Sequence, residues 1–210
     1  MLYDMRTYTL KIGSLRTVEK LFDDAMPVRE KYSRLGGFFH AESGVLNQIV
    51  HIWPYENFEH LQKTRAMAAG DSSGQWPPVG LSEHIVTMES QLLQSTPFME
   101  DWTGPRELGS IYELRTYSLL AGSTPAVLKE WGAMIGGRVE FSPLAACWTP
   151  AGTGGPINRL IHLWAYPDYA TRTEARAAAT ASGKWPPPTG QYYTQQESKI
   201  LAPASFSPMH

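Results

Sequence analysis

What most constrains this chain is that it carries one pattern twice. Tyr3-Asp4-Met5-Arg6-Thr7-Tyr8-Thr9-Leu10 returns as Tyr112-Glu113-Leu114-Arg115-Thr116-Tyr117-Ser118-Leu119, and Gln75-Trp76-Pro77-Pro78 returns as Lys184-Trp185-Pro186-Pro187. Arg6 and Arg115 stand 109 positions apart, as do Trp76 and Trp185. A period this long in 210 residues means two structural units, each about a hundred residues and large enough to bury a core of its own.

Within each unit the order of elements is readable. Leu2 to Leu10 is free of Gly and Pro and rich in Tyr, Thr and Met, which marks a strand; Gly13-Ser14 then opens a helix. From Leu15 to Leu35, apolar residues at three- and four-residue spacing predict an amphipathic helix that Pro27 bends or breaks. Two extended runs follow, Phe38 to Glu42 and Asn47 to Trp53, joined at Ser43-Gly44 as a hairpin. In the second copy that turn is Gly152-Thr153-Gly154-Gly155-Pro156, where the offset grows to 111 (His51 to His162); an insertion is cheapest in a turn. An alanine-rich helix (Tyr55 to Ala69, Tyr166 to Ala181) and a last strand (Ile85 to Leu93, Tyr193 to Leu201) complete each copy.

The fold class is therefore α+β: two ferredoxin-like βαββαβ modules in tandem, spanning 1–94 and 110–202, with a linker at 95–109 and a tail at 203–210. Both helices of such a module cover one sheet face and leave the other bare. Two modules in one chain are expected to cover those bare faces with each other and to pair their edges into one barrel.

Composition narrows the function. A formal charge of -2 without a basic stripe argues against nucleic acid or an anionic membrane as partner. No apolar run approaches a membrane span, and the strand pattern begins at residue 2, so a soluble, cytoplasmic protein is expected. Cys147 is the single cysteine and reads as a buried small hydrophobe. Gly70-Asp71-Ser72-Ser73-Gly74 has the letters of a nucleophile elbow but follows a helix, and Gly152 to Gly155 lacks the Lys-Ser of a phosphate loop. No cofactor and no metal are expected, since no histidine pair has ligand spacing on one element.

Strand alternation puts Asp4, Arg6 and Tyr8 on one face and Tyr3, Met5 and Thr7 on the other. Tyr3, Met5, Val50, Ile52, Ile161 and Leu163 are assigned to the helix side. That leaves Arg6, Tyr8, Asn47, His51 and Trp53, with Glu89 from the last strand, facing the space between the two sheets. Arg115, Tyr117, Asn158, His162, Trp164 and Glu197 repeat the set. Arg6 is expected to pair with Glu89, because an unpaired buried guanidinium costs several kcal/mol. Two readings stand: a structural ion pair in a polar core, or a small-molecule pocket with aromatic walls and convergent polar groups.

Arg6-Thr7-Tyr8-Thr9-Leu10-x-x-Gly13, Asn47-x-x-x-His51-x-Trp53-x-Tyr55 and Arg65 resemble the NIPSNAP family; so do Arg115 to Gly122, Asn158-x-x-x-His162-x-Trp164-x-Tyr166 and Arg176. The resemblance implies a dimeric α+β barrel, assembled here within one chain. It brings no catalytic residues. Related barrels include cofactor-free monooxygenases, heme-handling enzymes, and isomerases or decarboxylases of small aromatic or lactone-like compounds. Eukaryotic relatives carry organelle-targeting extensions and are linked to vesicle traffic and mitochondrial quality control.

The expected function is binding or transforming a small apolar or aromatic molecule bearing an acidic or carbonyl group, in a pocket between the sheet faces. Any enzyme activity would be that of a cofactor-independent oxygenase or isomerase. In that scheme Arg6 or Arg115 anchors the anionic oxygen, His51 or His162 moves a proton, Tyr8 or Tyr117 donates a hydrogen bond, and Trp53 or Trp164 forms an apolar wall. Asn47, Asn158, Glu89 and Glu197 complete the binding set. The alternative is a non-catalytic interaction module that works through its helix surfaces. A homo-oligomer through swapped copies also stays open, as does the role of Trp76 and Trp185 as staple or cavity mouth. Asp4/Glu113, Gln48/Arg159 and Gln91/Lys199 differ between copies, which leaves room for one pocket to have degenerated.

Overall fold

The computed structural model describes residues 1–152 and 155–210. Thr153 and Gly154, at the tip of the expected second hairpin turn, lie outside the described residues. The first repeat runs β1 (Leu2–Leu10), α1 (Leu15–Arg29), β2 (Gly37–Ala41), β3 (Gln48–Tyr55), α2 (Phe58–Ala69), a short 3-10 turn (Leu81–His84) and β4 (Ile85–Ser95). The second runs β5 (Ile111–Leu119), α3 (Thr124–Val139), β6 (Leu144–Pro150), β7 (Arg159–Tyr166), α4 (Tyr169–Ala181), a 3-10 turn (Gly190–Tyr192) and β8 (Tyr193–Pro203).

The first strand has the expected bounds, and Pro27 lies inside the last turns of α1. The alanine-rich helices start later than expected because Tyr55 and Tyr166 still belong to strands. Asn57 and Asp168 cap α2 and α4, their side chains accepting the backbone N–H of His60 and Thr171.

All eight strands form one closed barrel in the order β1-β3-β2-β8-β5-β7-β6-β4. Within a repeat the order is that of a ferredoxin-like sheet. Between repeats β2 pairs with β8 through Phe39–Pro203, His40–Ala202 and Ala41–Leu201, and β4 pairs with β6 through Leu93–Pro150, Gln94–Thr149 and Ser95–Trp148. The two copies thus close on each other inside one chain, which removes most of the edge that either sheet alone would expose. No helix among the described residues is long and apolar enough to cross a membrane.

The two sheet faces are the reverse of the assignment made from the sequence. Tyr3, Met5, Val50 and Ile52 meet Tyr112, Leu114, Ile161 and Leu163 in one shared cluster, which fills the barrel lumen. Tyr8, Trp53 and Ile49 instead pack with Val18, Phe22 and Met26 of α1. Alternation separates two faces but does not say which is enclosed. An eight-stranded barrel is just wide enough for side chains to fill, so the bulky uncharged set is the one that closes the lumen. The helix side is open at its ends and tolerates the charged set.

The linker and tail also belong to the core. Trp102 is fully buried among lumen residues, with its backbone N–H on the Tyr3 hydroxyl (3.0 Å) and its indole N–H on the Ala145 carbonyl (2.7 Å). Arg106 bridges Met209 in parallel, and Met209 is itself buried in the lumen cluster. Trp102→Ala is expected to cost about 3–5 kcal/mol, since it opens a cavity where both sheets meet. Urea unfolding measures this, and a midpoint near that of the natural chain would show that the plug is dispensable.

Candidate functional site

On the helix-facing side of each repeat lies a cavity, about 170 Å³ in the first and about 240 Å³ in the second. Both are built from matching residues. Strand pairing sets the floor: Arg6 lies opposite His51 and Asp4 opposite Trp53, as Arg115 lies opposite His162 and Glu113 opposite Trp164. Helix α1 contributes Phe22 and Arg29, α2 contributes Arg65, and the Trp-Pro element contributes Trp76 and Pro77. Their second-repeat counterparts around the larger cavity are Arg138, Arg176, Trp185 and Pro186.

The carboxylate that neutralises Arg6 is Asp4. It is 1% exposed and accepts bonds from Arg6 Nε (2.9 Å), Arg65 Nη2 (2.5 Å) and Ser90 Oγ (2.6 Å). Burial alone would raise its pKa. The charges of Arg6 and Arg65 and the Ser90 bond outweigh that and leave it lowered. Glu113 plays this part in the second repeat, taking bonds from Arg115 (2.7 Å), Arg172 (2.6 Å), Arg176 (3.0 Å) and Ser198 (2.7 Å). Burial again pushes upward, but these donors hold its pKa at about 2.

Glu89 and Glu197 are therefore not in the cluster. Glu89 stands opposite Thr7 and Glu197 opposite Thr116, on the lumen-facing side of their strands. A displacement of one residue in register moves a side chain to the other sheet face, and Ser90 and Ser198 occupy the positions opposite the arginines instead. Asn47 and Asn158 also lie outside the cavities: they precede β3 and β7, where their carbonyls accept the N–H of Leu10 (2.7 Å) and Leu119 (2.8 Å). Tyr8, Tyr117, Trp53, Trp164 and both histidines do line them. His51 and His162 stand in different pockets, so they do not converge on one site.

Each histidine has one defined role. The indole N–H of Trp53 donates to His51 Nδ1 at 2.7 Å, and Trp164 donates to His162 Nδ1 at 2.7 Å. An indole only donates, so Nδ1 must be bare and the proton of the neutral ring sits on Nε2. Neither Nε2 has a hydrogen-bond partner among the described residues. Burial, then the Arg6 and Arg29 charges, push the His51 pKa down to about 3; burial and Arg115 hold His162 well below its ordinary value.

Arg29 and Arg138 were not evident from helix periodicity, yet they are the most unusual groups in the site. Each is 3% exposed. Arg29 donates to the Tyr55 hydroxyl (2.8 Å) and Ser33 Oγ (2.6 Å), and Arg138 to Tyr166 (3.0 Å) and Ser142 (2.8 Å). Their guanidinium carbons stand 4.4 Å from the Trp53 ring centroid and 4.2 Å from that of Trp164. Among the described residues neither has a carboxylate within salt-bridge distance, and burial lowers the pKa of both. The signal that finds them is the repeat itself, because Arg29 and Arg138 also stand 109 positions apart.

Trp76 and Trp185 line the cavities and pack edge-on against Trp53 and Trp164 at 5.9 and 6.1 Å, so they are cavity walls as well as staples. Cys147 is fully buried and its thiol is pushed up to about 12 by that burial, as suits an inert small hydrophobe. The Gly70–Gly74 stretch is a turn that follows α2, in which the backbone N–H and the hydroxyl of Ser73 both donate to the Asp71 carboxylate.

A model of the NIPSNAP family matches residues 3–100 and again residues 112–208, one match for each repeat. The chain belongs to the NIPSNAP family. It is 27% identical over 222 residues to protein NipSnap homolog 3B of Mus musculus, an alignment that covers 99% of this chain and 85% of that protein. Among solved structures, a candidate monooxygenase from Lactobacillus acidophilus NCFM superposes with TM-score 0.67 at 8% identity, covering 97% of this chain and 94% of that one. One from Fusobacterium nucleatum gives 0.63 at 7% identity, covering 97% and 92%. At such identity the likeness concerns the fold, a barrel of two ferredoxin-like units. In this NIPSNAP chain both units come from one polypeptide, and both keep the Arg-His-Trp cluster under their helices.

Proposed function

We propose that this NIPSNAP protein binds small organic acids, one in each repeat, with the acid group on the arginines and the apolar part against tryptophan. The observation that carries this reading is the buried cation at Arg29 and Arg138, with no carboxylate at salt-bridge distance among the described residues. Leaving a guanidinium dry and unpaired costs several kcal/mol, and hydroxyls and ring faces compensate only part of it. Asp4 and Glu113 are already saturated by other donors, so the missing charge fits an anion from outside. Counting the lining groups, the first cavity holds Arg6, Arg29 and Arg65 against Asp4 alone, and the second holds Arg115, Arg138 and Arg176 against Glu113.

The site favours a small molecule over a purely surface-borne interaction role because cavities stand at the histidine clusters in both repeats. In this reading the histidine is a donor and not a proton shuttle. An imidazole with a pKa near 3 is too weak a base for work at neutral pH. Its Nε2–H is suited to a carbonyl or carboxylate oxygen, or to an oxyanion if the protein turns its ligand over.

Arg138→Met keeps length and apolar stem while removing the charge. Calorimetric titration with phenylacetate is expected to show at least tenfold weaker binding at the second site, with stability unchanged or raised. Binding that survives the substitution at full strength would sink the assignment of this arginine.

A further inference from the structure

The two pockets are not equivalent, and the difference lies at their outer ends. In the second repeat the arginine cavity shares Tyr117, Trp185, Pro186 and Gln196 with an adjoining cleft of about 550 Å³. The cleft adds Trp131, Tyr193 and Gly190 to that shared wall. Trp131 packs at 84° to Trp185 with centroids 4.9 Å apart, and its indole N–H donates to the Tyr193 hydroxyl at 2.9 Å, which fixes two aromatic walls of the cleft. At Gly190 an added Cβ would meet nothing within 4 Å, so that side is open space.

The first repeat has different residues at the matching places. Strand pairing identifies them: Met88 stands opposite Tyr8 as Gln196 stands opposite Tyr117, and Ile85 opposite Leu10 as Tyr193 stands opposite Leu119. Phe22 takes the position of Trp131, packing on His51 and Trp76 as Trp131 packs on His162 and Trp185. Aliphatic Met88 and Leu81 line the first cavity itself.

We propose that the second repeat takes an extended aryl acid, its carboxylate on Arg138 and its neighbours and a planar distal ring in the Trp131–Trp185–Tyr193 cleft, while the first repeat takes a short acid. This rests on the organic-acid reading above. Aromatic walls with a polar rim of Gln and Thr suit a flat ring, which stacks on or meets other rings edge-on at little entropic cost.

The test compares phenylacetate with 4-biphenylacetate by calorimetry on the natural chain and on one carrying Trp131→Phe and Tyr193→Ile, each the first repeat's own residue. The natural chain is expected to bind phenylacetate at two sites and biphenylacetate at one site about tenfold more tightly than phenylacetate. The double variant is expected to lose that preference while phenylacetate binding stays. Nuclear Overhauser contacts from the distal ring to Trp131 and Tyr193 in the natural chain provide a check that needs no variant to fold. Equal affinity for the two acids, or no such contacts, overturns the extended-ligand proposal and leaves the organic-acid reading intact. If neither acid binds, both readings fall.

Discussion

Lowering the pH from 7 to 5 is expected to cost the protein about 2 kcal/mol of stability through His51, with a further loss in the same direction through His162. Both have folded pKa values far below the ordinary 6.5, His51 at about 3. Between the folded and unfolded values the unfolded chain binds more protons than the native one, so stability rises with pH across that window and falls on acidification through 6.5. His40 acts in the opposite sense, because its bond to Glu19 raises its pKa, and it offsets a part of the loss. Urea midpoints at pH 7, 6 and 5 measure the slope, and replacing both buried histidines by Gln should flatten it. A natural chain equally stable at pH 7 and 5 would mean that the imidazoles are hydrated and free to charge.

Removing the Glu113 carboxylate is expected to be comparably damaging. Glu113→Ala leaves Arg115, Arg172 and Arg176 without their shared partner, and breaking a buried pair from one side costs about 3–5 kcal/mol. Arg172 and Arg176 have side chains 22% and 39% exposed, which places the expectation at the lower end, about 3 kcal/mol. Its pH window also differs from that of the histidines. A carboxylate with a folded pKa of about 2 stabilises the native state fully above the ordinary 4.5 and loses that effect as pH falls from there toward 2. The acid limb of the unfolding profile below pH 4.5 should therefore be shallower in Glu113→Ala than in the natural chain. A loss under about 1 kcal/mol in urea would show that water already serves these guanidinium groups.

Much of this molecule is legible in its sequence, because its signals are local or periodic. The repeat at an offset of 109 residues, the period-two strands and the Gly-Ser helix openings depend on nearest neighbours, and they lead to two βαββαβ units in one barrel. The membership of the cluster was partly legible on the same grounds. Residues two apart on a strand share a face, so Arg6 with Tyr8 and His51 with Trp53 follow from spacing, as do their second-repeat counterparts.

Which face turned inward was not a local matter. Tyr3-Met5 and Arg6-Tyr8 are each a plausible lining, and only closure of eight strands around Trp102 and Met209 decides that the first set fills the lumen. The pairing of Arg6 with Asp4 in place of Glu89 was settled the same way, by a single residue of register between β1 and β4 that leaves the composition of neither strand changed. Arg29 and Arg138 show the limit most clearly. On a helix wheel each is one cation near a helix end, and it becomes a buried charge with no carboxylate at salt-bridge distance among the described residues only when the helix is laid across the sheet and the tryptophan closes over it. Spacing along the chain determined what could share a surface; burial, which depends on every element at once, decided which surface would hold charge.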